Sequence, residues 1–232
     1  LFIRTPIYVI NGLAGMIIVP FLMLMPYFDS SGETQEILSL ARQSQFIVQA
    51  TLGSLGLLLF TASINIVSCT SLSREGRTFW ISKIIPVSPK YQVTAKLLHG
   101  MAISGMGILV TIALIAFILQ LPFTRLLVIL ILGTLGSFLL NILNLIIDVL
   151  RPKLEWNDPQ EAVKQNLNGF FSILLTFIAL GCWGGLSILL FNLGIPEGWV
   201  YVILGLSTAV LLIPSLIILY SLAEASYKKL EI

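Results

Sequence analysis

Six long apolar stretches, near residues 5–28, 46–70, 97–120, 125–150, 167–192 and 199–222, leave this chain one kind of place to fold. Each reaches the ~20 residues that a helix needs to cross ~30 Å of hydrocarbon. In lipid a backbone must satisfy its own hydrogen bonds, so only helices or a closed barrel span it. The short alternating segments of a barrel are absent. Charged residues make up only 10% of the chain, where soluble domains carry about a quarter, and hydrophobic residues make up 57%. The sequence therefore predicts an all-α integral membrane protein: one transmembrane domain over residues 1–232, a bundle of about six spans. Asp29 with Pro26, the Gln120-Leu121-Pro122 turn and the Gly194–Gly198 stretch around Pro196 separate the runs. Pro20 and Pro214, inside runs, predict kinks.

The first apolar stretch is too long for a signal-peptide core and lacks a small-residue cleavage site, so it reads as a span. The chain opens at Leu1 rather than Met, which suggests a piece or processed product of a longer protein. Cys69 and Cys182 sit in or beside apolar runs with no CxxC or Cys/His spacing, and support neither a disulfide framework nor a metal site.

Basic residues give the orientation. Arg4 precedes the first span; Arg74, Arg77, Lys83, Lys90 and Lys96 lie in segment 71–96; Arg151, Lys153 and Lys164 lie in segment 151–166; Lys228 and Lys229 end the chain. Only Arg42 and Arg125 fall on the opposite side, so six spans place eleven of thirteen Lys and Arg together. The expectation is a multi-pass protein of the cell membrane with both termini cytoplasmic. The net charge of +2 is then a topology signal and not a nucleic-acid footprint, because no basic face is interleaved with stacking aromatics. Trp80, Trp156, Trp183 and Trp199 are expected mostly at span ends.

Segment 71–96 is the least ordinary part of the chain. Ser73 and Gly76 with the charges between them read as a helix start, and Phe79, Trp80, Lys83 and Ile84 at i, i+1, i+4 and i+5 predict a short amphipathic helix near 74–85. Pro86 and Pro89 stop it. Two readings fit: a basic amphipathic helix lying on anionic lipid, or a rigid element against which a soluble partner pushes.

The run Ser73-Arg74-Glu75-Gly76-Arg77-Thr78-Phe79-Trp80, followed by Lys83, Pro86-Val87-Ser88-Pro89 and Ala95-Lys96, resembles the permease subunits of bacterial type-2 ATP-binding-cassette exporters. A second patch, Asp148 to Trp156 continuing through Glu161 to Asn166, is similar to the same family's connection between the fourth and fifth spans. The resemblance covers residues 46–170 best. It implies a coupling helix that contacts a separate ATPase, with Arg74, Glu75, Gly76, Arg77, Lys83 and Pro86 at the contact and Phe79 and Trp80 as anchors. It also implies a second permease half, homodimeric, heterodimeric or fused. ATP and Mg would be bound by the ATPase, since this chain has no GxxxxGK[ST] and no cofactor motif of its own.

Within the fourth span Ser137, Asn141, Asn144 and Asp148 recur at i, i+4, i+7 and i+11, along one helical face. Such a stripe either lines a translocation path or glues helices by hydrogen bonds. Ser54, Thr61, Asn65 and Ser68 form a similar stripe in the second span. His99, the one histidine, sits where the third span enters the membrane. Gly181 and Gly185 form a small-xxx-small pair suited to close helix contact. No HExxH, GxSxG or pair of intramembrane acids marks an enzyme. Two alternatives stay open: a secondary transporter or channel fragment, and a membrane enzyme or scaffold with its polar site around Asp148.

Overall fold

The computed structural model describes residues 2–28, 32–64 and 66–229. These residues form helices and turns with no strand among them: α1 (Pro6–Phe28), α2 (Gly32–Ala41), α3 (Ile47–Ser63, led in by a short 3-10 turn at Ser44–Phe46), α4 (Phe79–Ile84), α5 (Pro89–Leu119), α6 (Phe123–Leu150), α7 (Leu167–Asn192) and α8 (Glu197–Lys229). Five helices among the described residues are long and apolar enough to cross a membrane: Ser44–Ser63, Pro89–Leu119, Phe123–Leu150, Leu167–Asn192 and Glu197–Tyr227. The chain is a multi-pass membrane protein.

α6 is the hub, packing against α3, α5, α7 and α8. Half of its apolar window is buried, against 17% for α7. The outer faces of α5, α7 and α8 carry exposed Leu, Ile and Phe, as a lipid-facing surface does. Gly133 and Gly136 let α3 approach α6 closely. A Cβ on Gly133 would stand 2.4 Å from Leu58, and one on Gly136 would stand 2.7 Å from Leu59. At one end of the bundle Leu72, Phe79, Val93, Ile142, Leu145 and Leu219 form a fully buried core.

Several expected bounds shift. The second span ends at Ser63, well short of residue 70, and Ile66–Leu72 runs as turns. The run Ser68-Cys69-Thr70-Ser71 is built of short residues that are weaker helix formers than the Leu-rich run before it, and Thr70 Oγ1 donates to Ile66 O at 2.6 Å. α5 begins at Pro89 rather than near 97, because Ser88 and Pro89 provide an extended N-cap and a Pro at the first turn. α8 continues past residue 222, and Pro214 lies inside it without ending it.

The two basic residues opposite the main cluster both have local work. Arg42 Nη2 donates to Ile118 O at 2.7 Å, satisfying a carbonyl at the C-terminus of α5. Arg125 Nη2 donates to Glu197 Oε2 at 3.0 Å, and Tyr201 OH donates to the other oxygen at 2.6 Å, tying the start of α6 to the start of α8.

Candidate functional site

Segment 71–96 does not form one helix over 74–85. A 3-10 stretch, Ser73–Thr78, is broken at Gly76 (φ 51°, ψ −132°), and a one-and-a-half-turn α4 follows. That backbone conformation is open to glycine and strained for other residues. The space is closed as well: a Cβ at Gly76 would stand 2.5 Å from the Trp156 ring. Ile85 is extended ahead of Pro86, which ends α4.

The break is held from α6. Asp148 is fully buried, near the α6 C-terminus, and accepts four hydrogen bonds. Oδ2 receives the backbone N–H groups of Leu72 and of Ser73 (3.3 Å), while Oδ1 receives the Ser73 hydroxyl and Asn168 Nδ2 (3.0 Å). Ser73 uses every polar atom it has. Lys153 N donates to its Oγ at 2.9 Å, and Trp156 Nε1 donates to its carbonyl at 2.8 Å. Asn168 also donates to Arg151 O at 3.0 Å. A buried carboxylate is tolerated only when so satisfied. The two sequence patches, 71–89 and 148–166, are thus clasped to one another and to α6 and α7.

The expected coupling residues divide into two groups. Arg74 does not face water: it is 5% exposed. Its Nη1 donates to Thr70 Oγ1 at 2.9 Å, and the guanidinium lies 5.2 Å from the Phe2 ring and 5.8 Å from the Tyr8 ring. Burial pulls its pKa down from the ordinary value, and the Asp148 carboxylate is the largest opposing influence. Glu75 is engaged within the chain, paired with Lys96 and accepting from Ser82 Oγ at 2.8 Å. Gly76 is buried. Phe79 is buried and stacks edge-on against Tyr227, with centroids 5.0 Å apart. Trp80, expected beside it as an anchor, is 48% exposed instead. Arg77, Pro86 and Lys90 are exposed and Lys83 half-buried. Together with Trp80, Ile81, Ile84, Val87 and Tyr91 they form an apolar, aromatic surface dotted with basic residues.

The α6 stripe is interior throughout: Ser137, Asn141 and Asn144 are as buried as Asp148 to within a few per cent. Asn141 accepts from Ser68 Oγ at 2.6 Å and donates to Ser104 Oγ at 2.9 Å and Ser137 O at 2.8 Å. Ser104 Oγ donates onward to Ala62 O at 3.0 Å. Asn141 therefore ties α6 to α5 and to the chain after α3. Asn144 Oδ1 has no hydrogen-bond partner among the described residues. Asn65 lies outside the described residues. Ser68 lies beyond the end of α3, so the second stripe does not run along one helix.

A groove of about 780 Å³ opens between α3 and α7, lined by Leu52, Gly56, Leu59 and Trp183, with Gln49 and Asn192 among its polar groups. None of the described stripe residues lines it. Gly181 and Gly185 face open space, so the close contact expected of them is not made within this chain. Trp183 lies within α7 rather than at its end and packs toward Gly136. Sequence reasoning missed Asn168 and the clasping role of Trp156. The signal present was Asp148 itself, an acid closing an otherwise apolar helix.

No protein-family model, curated protein or solved structure matches the chain.

Proposed function

We propose that this chain is the membrane-spanning permease subunit of an ATP-driven exporter of the type-2 ATP-binding-cassette class, coupled to a separate ATPase through segment 71–96. The observation that carries the reading is the Arg77–Tyr91 surface. It exposes Trp80, Ile84 and Tyr91 at 48%, 68% and 73%, on the short α4 and the first turn of α5. Large exposed apolar patches with polar rims mark interaction sites. The Asp148 clasp gives this surface a fixed base on α6, as a lever requires.

In this reading α1, 23 residues without a charge, is the sixth span. Both termini and both clasped connections are then cytoplasmic, in agreement with the basic-residue split. The ATPase closes on ATP and Mg, presses on the Trp80–Tyr91 surface, and the clasp passes the displacement to α6 and α7 so that the bundle opens outward. Arg77, Lys83 and Lys90 supply the polar contacts; Arg74 and Glu75 act inside the chain. A second permease half packs on the α3–α7 face, where Gly53, Gly56, Gly181, Gly184 and Gly185 meet nothing. The enzyme reading draws on Asp148, whose two oxygens are each occupied by two donors.

Co-purification with a candidate ATPase tests the proposal. The wild-type chain should capture the ATPase and raise its turnover. Trp80→Ala with Lys83→Glu should abolish both without changing the melting temperature. A properly folded chain that neither captures nor stimulates any ATPase of this class refutes it.

A further inference from the structure

A second feature lies on the other side of Glu75 and owes nothing to ATPase docking. Between the N-terminal stretch, the chain after α3 and the first third of α5 there is a cavity of about 550 Å³. Its polar lining comes from Arg4, Ser71, Arg74, Glu75, Lys96 and His99. Glu75 is the only acid among the described residues that line it, and it is spent on Lys96. Arg4 and Arg74 make no ion pair among the described residues. Arg74 is nevertheless 95% buried, held by aromatic faces and one threonine hydroxyl. Arg74 has the buried Asp148 carboxylate behind it and Arg4 stands exposed at the open mouth, but both guanidiniums line one cavity whose acid is already paired. An anion in the cavity would answer both.

The depth of the cavity says what kind of anion. α5 has 31 residues and rises ~46 Å, about 16 Å more than the hydrocarbon core. The tight Gln120–Pro122 turn limits the other end, so the surplus falls at the start of α5. That is about 11 residues at ~1.5 Å each, Pro89 to His99. Lys96 and His99 thus sit at the boundary between headgroups and acyl chains, and Arg4 lies just ahead of α1. Basic pockets between spans at this level suit phosphorylated headgroups. A guanidinium pairs with phosphate through two parallel hydrogen bonds.

We propose that this cavity is a binding site for a phosphate-bearing anion, with Arg4 and Arg74 on the phosphate oxygens and Lys96, bridged to Glu75, closing the rim. The phosphodiester of an anionic phospholipid and free inorganic phosphate share this chemistry. The volume leaves room beyond one phosphate for a glycerol head.

The test uses the full chain in phosphatidylcholine nanodiscs, with and without phosphatidylglycerol, read by native mass spectrometry for retained lipid. Inorganic phosphate is titrated in a parallel thermal melt in phosphatidylcholine alone. Arg4→Gln is the variant of choice, because Arg4 is exposed and its loss leaves the core intact. Arg77→Gln, outside the cavity on the same side, controls for general charge. Retention of phosphatidylglycerol by wild type and Arg77→Gln, weakened roughly tenfold in Arg4→Gln, supports the site with a lipid occupant. Stabilisation by inorganic phosphate with no preference for phosphatidylglycerol, again lost in Arg4→Gln, supports the site with a soluble occupant. Equal binding in wild type and Arg4→Gln, equal losses in both variants, or no binding of either probe overturns it. No ATPase is present, so failure of the exporter reading leaves this result untouched.

Discussion

Asp148 and Asn144 stand one helical turn apart on the same buried face, yet substitution should move them in opposite directions. Asp148→Asn keeps the volume and replaces one acceptor oxygen by an NH2 group. On the Oδ2 side the donors are backbone N–H groups of Leu72 and Ser73, which cannot turn away, so the amide must aim its nitrogen at Ser73 Oγ and Asn168. The hydroxyl can rotate, and Asn168 can flip only by giving up its bond to Arg151 O. Hydrogen bonds to a charged group contribute about 1.5–3 kcal/mol each, and at least two are lost or weakened, so the cost is about 3–5 kcal/mol. At about 2–4 °C per kcal/mol for a chain of this size, the melting temperature should fall by roughly 6–20 °C.

Asn144 offers the contrast. Its Oδ1 is buried without a partner among the described residues, a burden of about 1–3 kcal/mol that Asn144→Leu removes with the same number of side-chain heavy atoms. This variant should melt at or above wild type. Thermal unfolding in detergent reads both, and amide exchange over residues 71–79 reads the clasp directly, rising in Asp148→Asn and unchanged in Asn144→Leu. If Asp148→Asn melts with wild type and leaves exchange over 71–79 unaltered, the clasp is not what holds the segment. If both variants fall equally, the stripe acts by packing alone.

In intact membranes a membrane-impermeant maleimide should label neither cysteine, although Cys182 is exposed within the chain, because that face of α7 lies in lipid or against a second half. Denaturation should then reveal two reactive thiols. In a cysteine-free background, Ser88→Cys and Gly198→Cys should label from opposite faces, and labelling from one face would refute the six-span topology. Arg125→Gln should cost about 1–2 kcal/mol by loosening the Glu197–Tyr201 cluster at the α6 and α8 ends, measured by melting with the 71–79 exchange unaffected.

The sequence revealed what depends on composition and length, and hid what depends on distant partners. Long apolar runs gave α5 to α8 nearly whole, because lipid leaves their backbone no other choice. They overran at Ser68–Ser71, where hydropathy and helix preference part company: the side chains are small enough for lipid, but Ser, Cys and Thr are weaker helix formers than Leu. The reach of α8 was also underestimated, since a helix need not stop where the hydrocarbon does. Asp148 stood out as an acid at a span end, but its donors come from 75 and 20 residues away in the chain. No periodicity carries that information. Arg74 shows the same limit. A charge in a polar segment reads as water-facing, and only the fold reveals Phe2 and Tyr8 around it.

Gly76 is where local backbone and distant packing meet, and that makes its coupling to Asp148 measurable. Gly76→Ala forces a Cβ onto a backbone at φ 51° and into the Trp156 ring. The strained conformation costs about 1–3 kcal/mol. Displacing the ring also breaks the Trp156 Nε1 to Ser73 O bond, for a further ~1 kcal/mol. Both this substitution and Asp148→Asn act by releasing Ser73. Once either has freed that residue, the other has less left to undo. The double variant should therefore lose less stability than the sum of the singles, by about 0.5–3 kcal/mol. Trp156→Phe, which keeps the ring and drops only the N–H, should show a smaller coupling of the same sign. Additivity of Gly76→Ala and Asp148→Asn to within ~0.5 kcal/mol would mean that the two connections are held independently, and that pressing on one does not move the other.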